Sequence, residues 1–273
     1  LTSTSSNKVA LITGSSSGIG RSLALKAAII GYNVGVIARN KQALEALKNE
    51  VIESYNIDFH YHIGDVSKEE DCRAFINGCI DKFGRIDFLF NNAGISMRGI
   101  FADTDLSVIK QLMDVNFWGS VYCTKYALPE LLKTKGSVIG VSSIAGFKGL
   151  PARTGYSASK FAMQGFLESL RNENLKTGLH VLIACPGYTE SNIRKTALNP
   201  EGKAQGETPL NEEKLMSADD VAESIWNATL KRRLYLILTA QGKAAVWINK
   251  LFPKLADKLT YNVIKKEPNS PFQ

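Results

Sequence analysis

The chain has 273 residues, 44% hydrophobic and 22% charged, with a formal net charge of +7. That length buries a large core in one or two domains, and the composition is that of an ordinary globular protein, which excludes a fibrous or disordered chain. No run of 18 apolar residues offers a membrane span, and the dispersed Lys and Arg lack zinc-finger, RNA-binding or basic-zipper spacing, which argues against nucleic-acid binding.

Taken in chain order, residues 8–13 form a short apolar strand that ends in Thr13-Gly-Ser-Ser-Ser-Gly-Ile-Gly20. A helix pattern follows to about Ile30, Gly31 stops it, and a second strand covers 33–37. Residues 41–54 read as a helix, 57–63 as a strand, 68–83 as a helix and 86–90 as a strand leading into Asn91-Asn92-Ala93-Gly94. Helices over 106–117 and 118–133 precede a strand at 137–141. A long helix over 156–176 is followed by a strand at 180–185, closed by Pro186-Gly187. Residues 188–216 are polar with little periodicity, 218–231 are helical, and 234–238 form the last strand. Strands separated by 10–20-residue helices specify a parallel sheet covered on both faces. Seven of them, with no Pro/Gly/Ser-rich linker, predict an α/β chain of one domain spanning residues 1–273: a three-layer, doubly wound Rossmann-type fold with a seven-stranded parallel sheet and a C-terminal helical extension.

Gly14, Gly18 and Gly20, with Ser16, Ser17 and Ile19 between them, join the first strand to its helix. A tight turn there needs residues without Cβ, and the helix N-terminus offers N–H groups and a positive dipole to a pyrophosphate. The spacing is Gly-x3-Gly-x-Gly. Further on, Tyr156 and Lys160 in Tyr156-Ser-Ala-Ser-Lys160 stand at i and i+4, on one helix face. An ammonium beside a phenol favours the phenolate and draws its pKa down from about 10 toward working pH, so such a tyrosine can exchange a proton with a carbonyl or hydroxyl oxygen. The spacing alone is common by chance, and Tyr261 with Lys265 repeats it without companions, as a structural pair. The pair at 156 and 160 differs because Ser143 and Asn116 precede it.

The motifs at 13–20, 91–94, Asn116, Ser143, Tyr156, Lys160 and 186–187, in this order and spacing, resemble the short-chain dehydrogenases/reductases of the compact, single-domain type. The resemblance runs from residue 8 to about 238. It implies that Tyr156 is the acid or base of a ketone/alcohol interconversion, that Lys160 lowers its pKa and binds nicotinamide-ribose hydroxyls, that Ser143 hydrogen-bonds the reacting oxygen, and that Asn116 holds a water linking Lys160 to solvent. It also implies that Asp65 and Val66 lie against adenine, that Asn92, Ala93 and Gly94 line the ribose and nicotinamide side, and that Pro186, Gly187, Thr189 and Ser191 border the nicotinamide. The stretch 186–191, Pro-Gly-Tyr-Thr-Glu-Ser, departs from the family's Pro-Gly-x-Val/Ile-x-Thr, which leaves the side-chain roles of Thr189 and Ser191 open. Relatives often pair the helices near 114–133 and 156–176 across subunits, so a homodimer or homotetramer is implied.

Cofactor choice turns on the end of the second strand. Val36-Ile37-Ala38-Arg39-Asn40 has no carboxylate for ribose hydroxyls, and Arg39 suits a 2′-phosphate, which in the resembling family accompanies NADP(H).

Residues 188–216 form a lid over the substrate in such a fold. In the extension 240–273, Val246, Trp247, Leu251, Phe252, Leu255, Leu259 and Val263 recur near helical spacing among Lys243, Lys250, Lys254, Lys258, Lys265 and Lys266. This segment reads either as a helix packed over the substrate pocket or a subunit, the favoured reading, or as peripheral contact with an anionic membrane. Pro253 kinks or breaks it. The tail and motifs together resemble a lipid- and steroid-reducing branch, so the expected substrate is a hydrophobic ketone or the matching alcohol. A catalytically idle NADP-binding scaffold, or dehydratase- or epimerase-like chemistry on the same fold, is the alternative. Cys72, Cys79, Cys123 and Cys185 form no CxxC pair and read as small residues of a reducing, cytoplasmic setting. His60 and His62 share a strand face but have no third ligand, so no metal is expected. The chain opens at Leu1 without Met, and what precedes it is unread.

Overall fold

Seven buried or half-buried strands lie side by side, all parallel, in the order β3-β2-β1-β4-β5-β6-β7. They are β1 (Val9–Thr13), β2 (Asn33–Ala38), β3 (Phe59–Ile63), β4 (Phe88–Asn91), β5 (Ser137–Val141), β6 (His180–Cys185) and β7 (Tyr235–Ile237) in this computed structural model, which describes residues 7–190, 192–206 and 215–272. β1, β5 and β6 are buried along their whole length, as expected of central strands covered on both faces.

Helices α1 (Gly18–Ile29), α2 (Lys41–Ser54) and α7 (Ala218–Leu230) cover one face, where Trp226 packs against Phe88 and Phe90 and donates its indole N–H to Leu23 O at 3.0 Å. Helices α3 (Glu69–Phe83), α5 (Gly119–Thr134) and α6 (Thr154–Glu173) cover the other, around Phe75, Ile76 and Leu167. The order of strands reverses between β1 and β4, and in such sheets a crevice opens there, outside the strands' carboxyl ends.

The two helices expected over 106–117 and 118–133 are one continuous rod. α4 (Leu106–Met113) runs into a π turn, Asp114–Trp118, and on into α5. A π turn inserts an extra residue and rotates the apolar stripe, so the periodicity reads as a break where the backbone has none. α6 starts at Thr154, two residues before the expected start. The stretch 188–216 contains turns and isolated bridges, Thr189 with Met216 and Leu198 with Met97 and Ala204, and no helix among its described residues.

The tail is helical as expected. α8 (Ala240–Leu251) and α9 (Pro253–Lys265) are separated at Phe252, where Pro253 opens the second helix. Their inner side rests on the loop between β5 and α6: Asn249 Nδ2 donates to Phe147 O at 2.9 Å, and Lys148 pairs with Asp257. Tyr261 lies on α9 against Phe272 and lines a small hollow with Thr154 and Ser157 of α6.

Candidate active site

The glycine loop closes against the end of β4. Thr13 Oγ1 accepts from the N–H groups of Asn92 (3.0 Å) and Ala93 (2.9 Å), and Asn92 Nδ2 donates to Thr13 O at 2.9 Å. Two glycines are dictated by this contact. Gly14 has φ +71, and a Cβ on Gly20 would stand 2.3 Å from Gly14 O and 2.5 Å from Asn92 Nδ2. The first turn of α1 holds no acidic residue, and its N-cap Ser17 makes no side-chain cap, so the N–H groups there point at the crevice. A dinucleotide's pyrophosphate fits this cradle.

The crevice is a cleft of about 920 Å³. Its walls include Gly14, Ser16, Ser17, Gly18, Ile19 and Gly20 at one end, with Arg39, Asp65 and Val66 beyond them. Asn92, Ala93, Gly94, Pro186, Gly187 and Thr189 continue the walls to Ser143, Tyr156 and Lys160 at the other end. Arg39 is exposed at the end of β2, and its Nη1 stands 3.9 Å from Asp65 Oδ2, a loose pair that leaves the guanidinium room for an anion. Ser191 lies outside the described residues. Thr189 is buried, and its hydroxyl donates to Gly187 O at 3.1 Å, so that side chain serves its own turn. Among the described residues no group of three metal-ligating side chains occurs.

Ser143 lies just past β5 and caps a short 3₁₀ turn, accepting from Ala145 N at 3.2 Å. Its hydroxyl faces Tyr156 closely enough to favour the phenolate. Lys160 is 3% exposed, its Nζ 5.8 Å from the centroid of the Tyr156 ring and bonded to Val141 O at 3.0 Å. The two side chains share a face as the spacing implies. Burial raises the Tyr156 pKa above its ordinary value, while Ser143 and the charge of Arg153 pull it back less strongly. Burial also lowers Lys160 to about 8, which leaves it cationic at neutral pH.

Asn116, fully buried in the π turn, accepts from Ile95 N at 2.8 Å and donates to Ile95 O at 3.0 Å and Ser159 Oγ at 2.9 Å. Asn116 Oδ1 and Lys160 Nζ both flank Gly94.

Gln164 was missed by the sequence reading. Its Nε2 donates to Ser142 Oγ at 2.9 Å and approaches Ser143 O at 3.4 Å, bracing the loop that carries Ser143. The signal was present, since 156, 160 and 164 repeat at four-residue intervals along α6. Arg153 at the head of α6 and Glu267 in the tail also escaped notice, and nothing local marks them.

A family profile described as short chain dehydrogenase matches residues 8–202. The chain is 35% identical over 249 residues, 91% of its length and 82% of the relative's, to the 11-beta-hydroxysteroid dehydrogenase-like 4A of Arabidopsis thaliana. It is 34% identical over 272 residues, 97% of its length and 83% of the relative's, to the dehydrogenase/reductase SDR family member 7B of Mus musculus. Among solved structures, an alcohol dehydrogenase from Thermococcus sibiricus complexed with 5-hydroxy-NADP superimposes with a TM-score of 0.73 at 25% identity, covering 84% of this chain and 93% of that one. A short-chain dehydrogenase/reductase from Burkholderia phymatum in complex with NAD does so at 0.79 and 24% identity, covering 91% and 94%. The chain belongs to the short-chain dehydrogenase family, oxidoreductases that use a nicotinamide cofactor at hydroxyl and carbonyl carbons.

Proposed function

We propose that this protein is an NADPH-dependent reductase of a hydrophobic ketone, or in reverse a dehydrogenase of the matching secondary alcohol. The observation that carries this reading is the meeting of Ser143, Tyr156 and Lys160 at one end of a cleft whose other end is Arg39.

The glycine cradle, Asn92 to Gly94 and Pro186 to Gly187 would hold the cofactor, Asp65 and Val66 would border its adenine, and Arg39 would pair with a 2′-phosphate. When bound, the cofactor supplies or removes the hydride. The protein's part is the proton. Ser143 donates a hydrogen bond to the substrate oxygen as negative charge grows there, and Tyr156 delivers its hydroxyl proton to that oxygen. The high tyrosine pKa keeps the donor protonated in the resting site. Lys160 keeps a positive charge behind the ring to stabilise the phenolate left after transfer, and Asn116 steadies the segment through which a water-linked proton returns.

The substrate end is lined by Val115, Leu150, Tyr188, Ile193 and Leu198, which supports an apolar substrate, as do relatives named for hydroxysteroids. The described residues of 188–216, those other than 191 and 207–214, serve as its lid. Oxidation of NADPH, followed by its absorbance against a panel of steroids, 3-oxo-lipids and small aromatic ketones, is the test. Stoichiometric consumption with an apolar ketone is expected; binding without consumption across the panel would point to an idle scaffold.

Two placements accompany this reading. Exposed Trp118 and Phe161 on the α5 and α6 side support a homo-oligomer, to be checked by sedimentation. The outer side of the tail exposes Trp247, Leu251, Phe252, Leu255, Leu259 and Val263 at 45–63% beside exposed Lys250, Lys254 and Lys258, which supports peripheral contact with an anionic membrane from the cytoplasmic side. No described helix is long and apolar enough to cross a membrane. Flotation with anionic liposomes is expected, and its absence would remove the membrane part.

A further inference from the structure

Three segments far apart in sequence meet at one carboxylate beside the cleft. Glu267, just past the end of α9 and 5% exposed, stands 3.2 Å from Arg153 Nη2 and 3.4 Å from Arg98 Nη2. Arg98 Nη2 also donates to Pro268 O at 2.7 Å. Both arginine side chains are nearly buried. Arg98 belongs to the segment after β4 that bonds to the lid through Leu198 O at 2.8 Å, and the next residue, Gly99, donates to Ala152 O at 2.9 Å. Ala152 holds a left-handed φ of +58, a conformation an alanine adopts only where its surroundings impose it. Arg153 follows it, lines the cleft, and heads the helix that carries Tyr156 one turn later.

A carboxylate shared by two nearly buried guanidiniums is a fixed point. Its removal leaves two like charges to move apart, and breaking a buried pair from one side disturbs the survivor. The geometry points to Glu267 as a positioning residue for the catalytic centre: through its ion pair it holds the Arg153 guanidinium against the cleft wall beside Tyr156. The inference rests on Tyr156 being the proton donor.

The charged and titratable groups around Tyr156 decide what the displacement of Arg153 does. Lys160 comes from α6 and Arg153 from its N-cap, Cys185 from β6, Tyr188 from the segment after it, and Ser143 from just past β5. Arg153, Glu267 and Arg194 all act on Tyr188, whereas at Tyr156 the charge of Arg153 lowers the pKa and that of Cys185 raises it. Arg153 lowers the tyrosine pKa, so releasing it raises that pKa.

The test is the pH–rate profile of Glu267→Gln, Arg153→Gln and the double variant. Each single variant is expected to move the tyrosine-dependent limb upward by about half a unit or more, with the double variant moving it no further, because both act through one guanidinium. A Glu267→Gln limb that stays put or moves down, or shifts that add in the double variant, overturns the inference. Should Glu267→Gln lose the fold, Glu267→Asp, which withdraws the carboxylate by one methylene, is expected to show a smaller upward shift, and an unmoved limb counts against the proposal. Tyrosinate absorbance titrated against a Tyr156→Phe reference reads the same ionisation without turnover. A shift there in an enzyme that reduces nothing upholds the positioning role and sinks the reductase reading. Turnover with no shift does the reverse.

Discussion

Asn116 and Ser159 are joined by a hydrogen bond of 2.9 Å, which ties the π turn between α4 and α5 to the helix that carries Lys160. Ser159 in turn donates to Tyr156 O at 2.8 Å. Both side chains are fully buried, so these bonds are shielded from competing water.

Asn116→Leu removes three hydrogen bonds and leaves the Ile95 N–H and C=O unpaired beside the cleft. Each buried group left unpaired costs about 1–3 kcal/mol. Urea denaturation is expected to show a loss of that order or more, with ketone reduction reduced further because Gly94 and Ile95 line the cofactor side of the cleft. A variant as stable as the parent would contradict the bonding described.

Arg39→Gln removes the positive charge at the end of β2. A charge-assisted hydrogen bond is worth about 1.5–3 kcal/mol, so NADPH affinity is expected to fall by roughly 10- to 100-fold while NADH affinity holds. Titration of both cofactors by the fluorescence of the bound nicotinamide decides it. Equal losses for the two would remove Arg39 from the 2′-phosphate.

Lys160 leaves a signature in stability against pH. Burial lowers its pKa from 10.5 to about 8 in the folded protein. Below pH 8 it is protonated in both folded and unfolded chains, and the fold bears the cost of a buried charge. Between about 8 and 10.5 the unfolded chain holds a proton that the folded chain has released, so this group's contribution to stability rises with pH. Tyr156 and Cys185, both raised by burial, work in the opposite sense at alkaline pH, so the measurement is a difference between variants. Lys160→Met is expected to gain on the parent most near about pH 7, with the gap narrowing toward about pH 10. A gap independent of pH would mean that Lys160 is not buried as described.

The strands, their parallel pairing and the glycine loop were legible because they are local: apolar runs, helix spacing and residues without Cβ announce themselves within a dozen positions. The site residues were legible for another reason, as several motifs in fixed order. The π turn was not, because an inserted residue imitates a helix break. The sign of the Tyr156 shift was also hidden. Spacing reveals that a lysine is near, but not how strongly burial acts on the phenol or that the ammonium is bonded to Val141 O. Glu267 was invisible in principle, since its partners lie 114 and 169 positions away and only the folded tail brings them together.

The central claim is that the Tyr156 hydroxyl supplies the proton for reduction in a cleft otherwise built to hold the cofactor. Tyr156→Phe removes that hydroxyl and little else from a half-buried ring. The direct measurement is single-turnover NADPH oxidation with a responsive ketone, paired with NADPH binding by the same variant. The account expects unaltered binding and turnover lowered by about a hundredfold or more, the lower end of what a positioned proton donor contributes. Turnover close to that of the parent would contradict it.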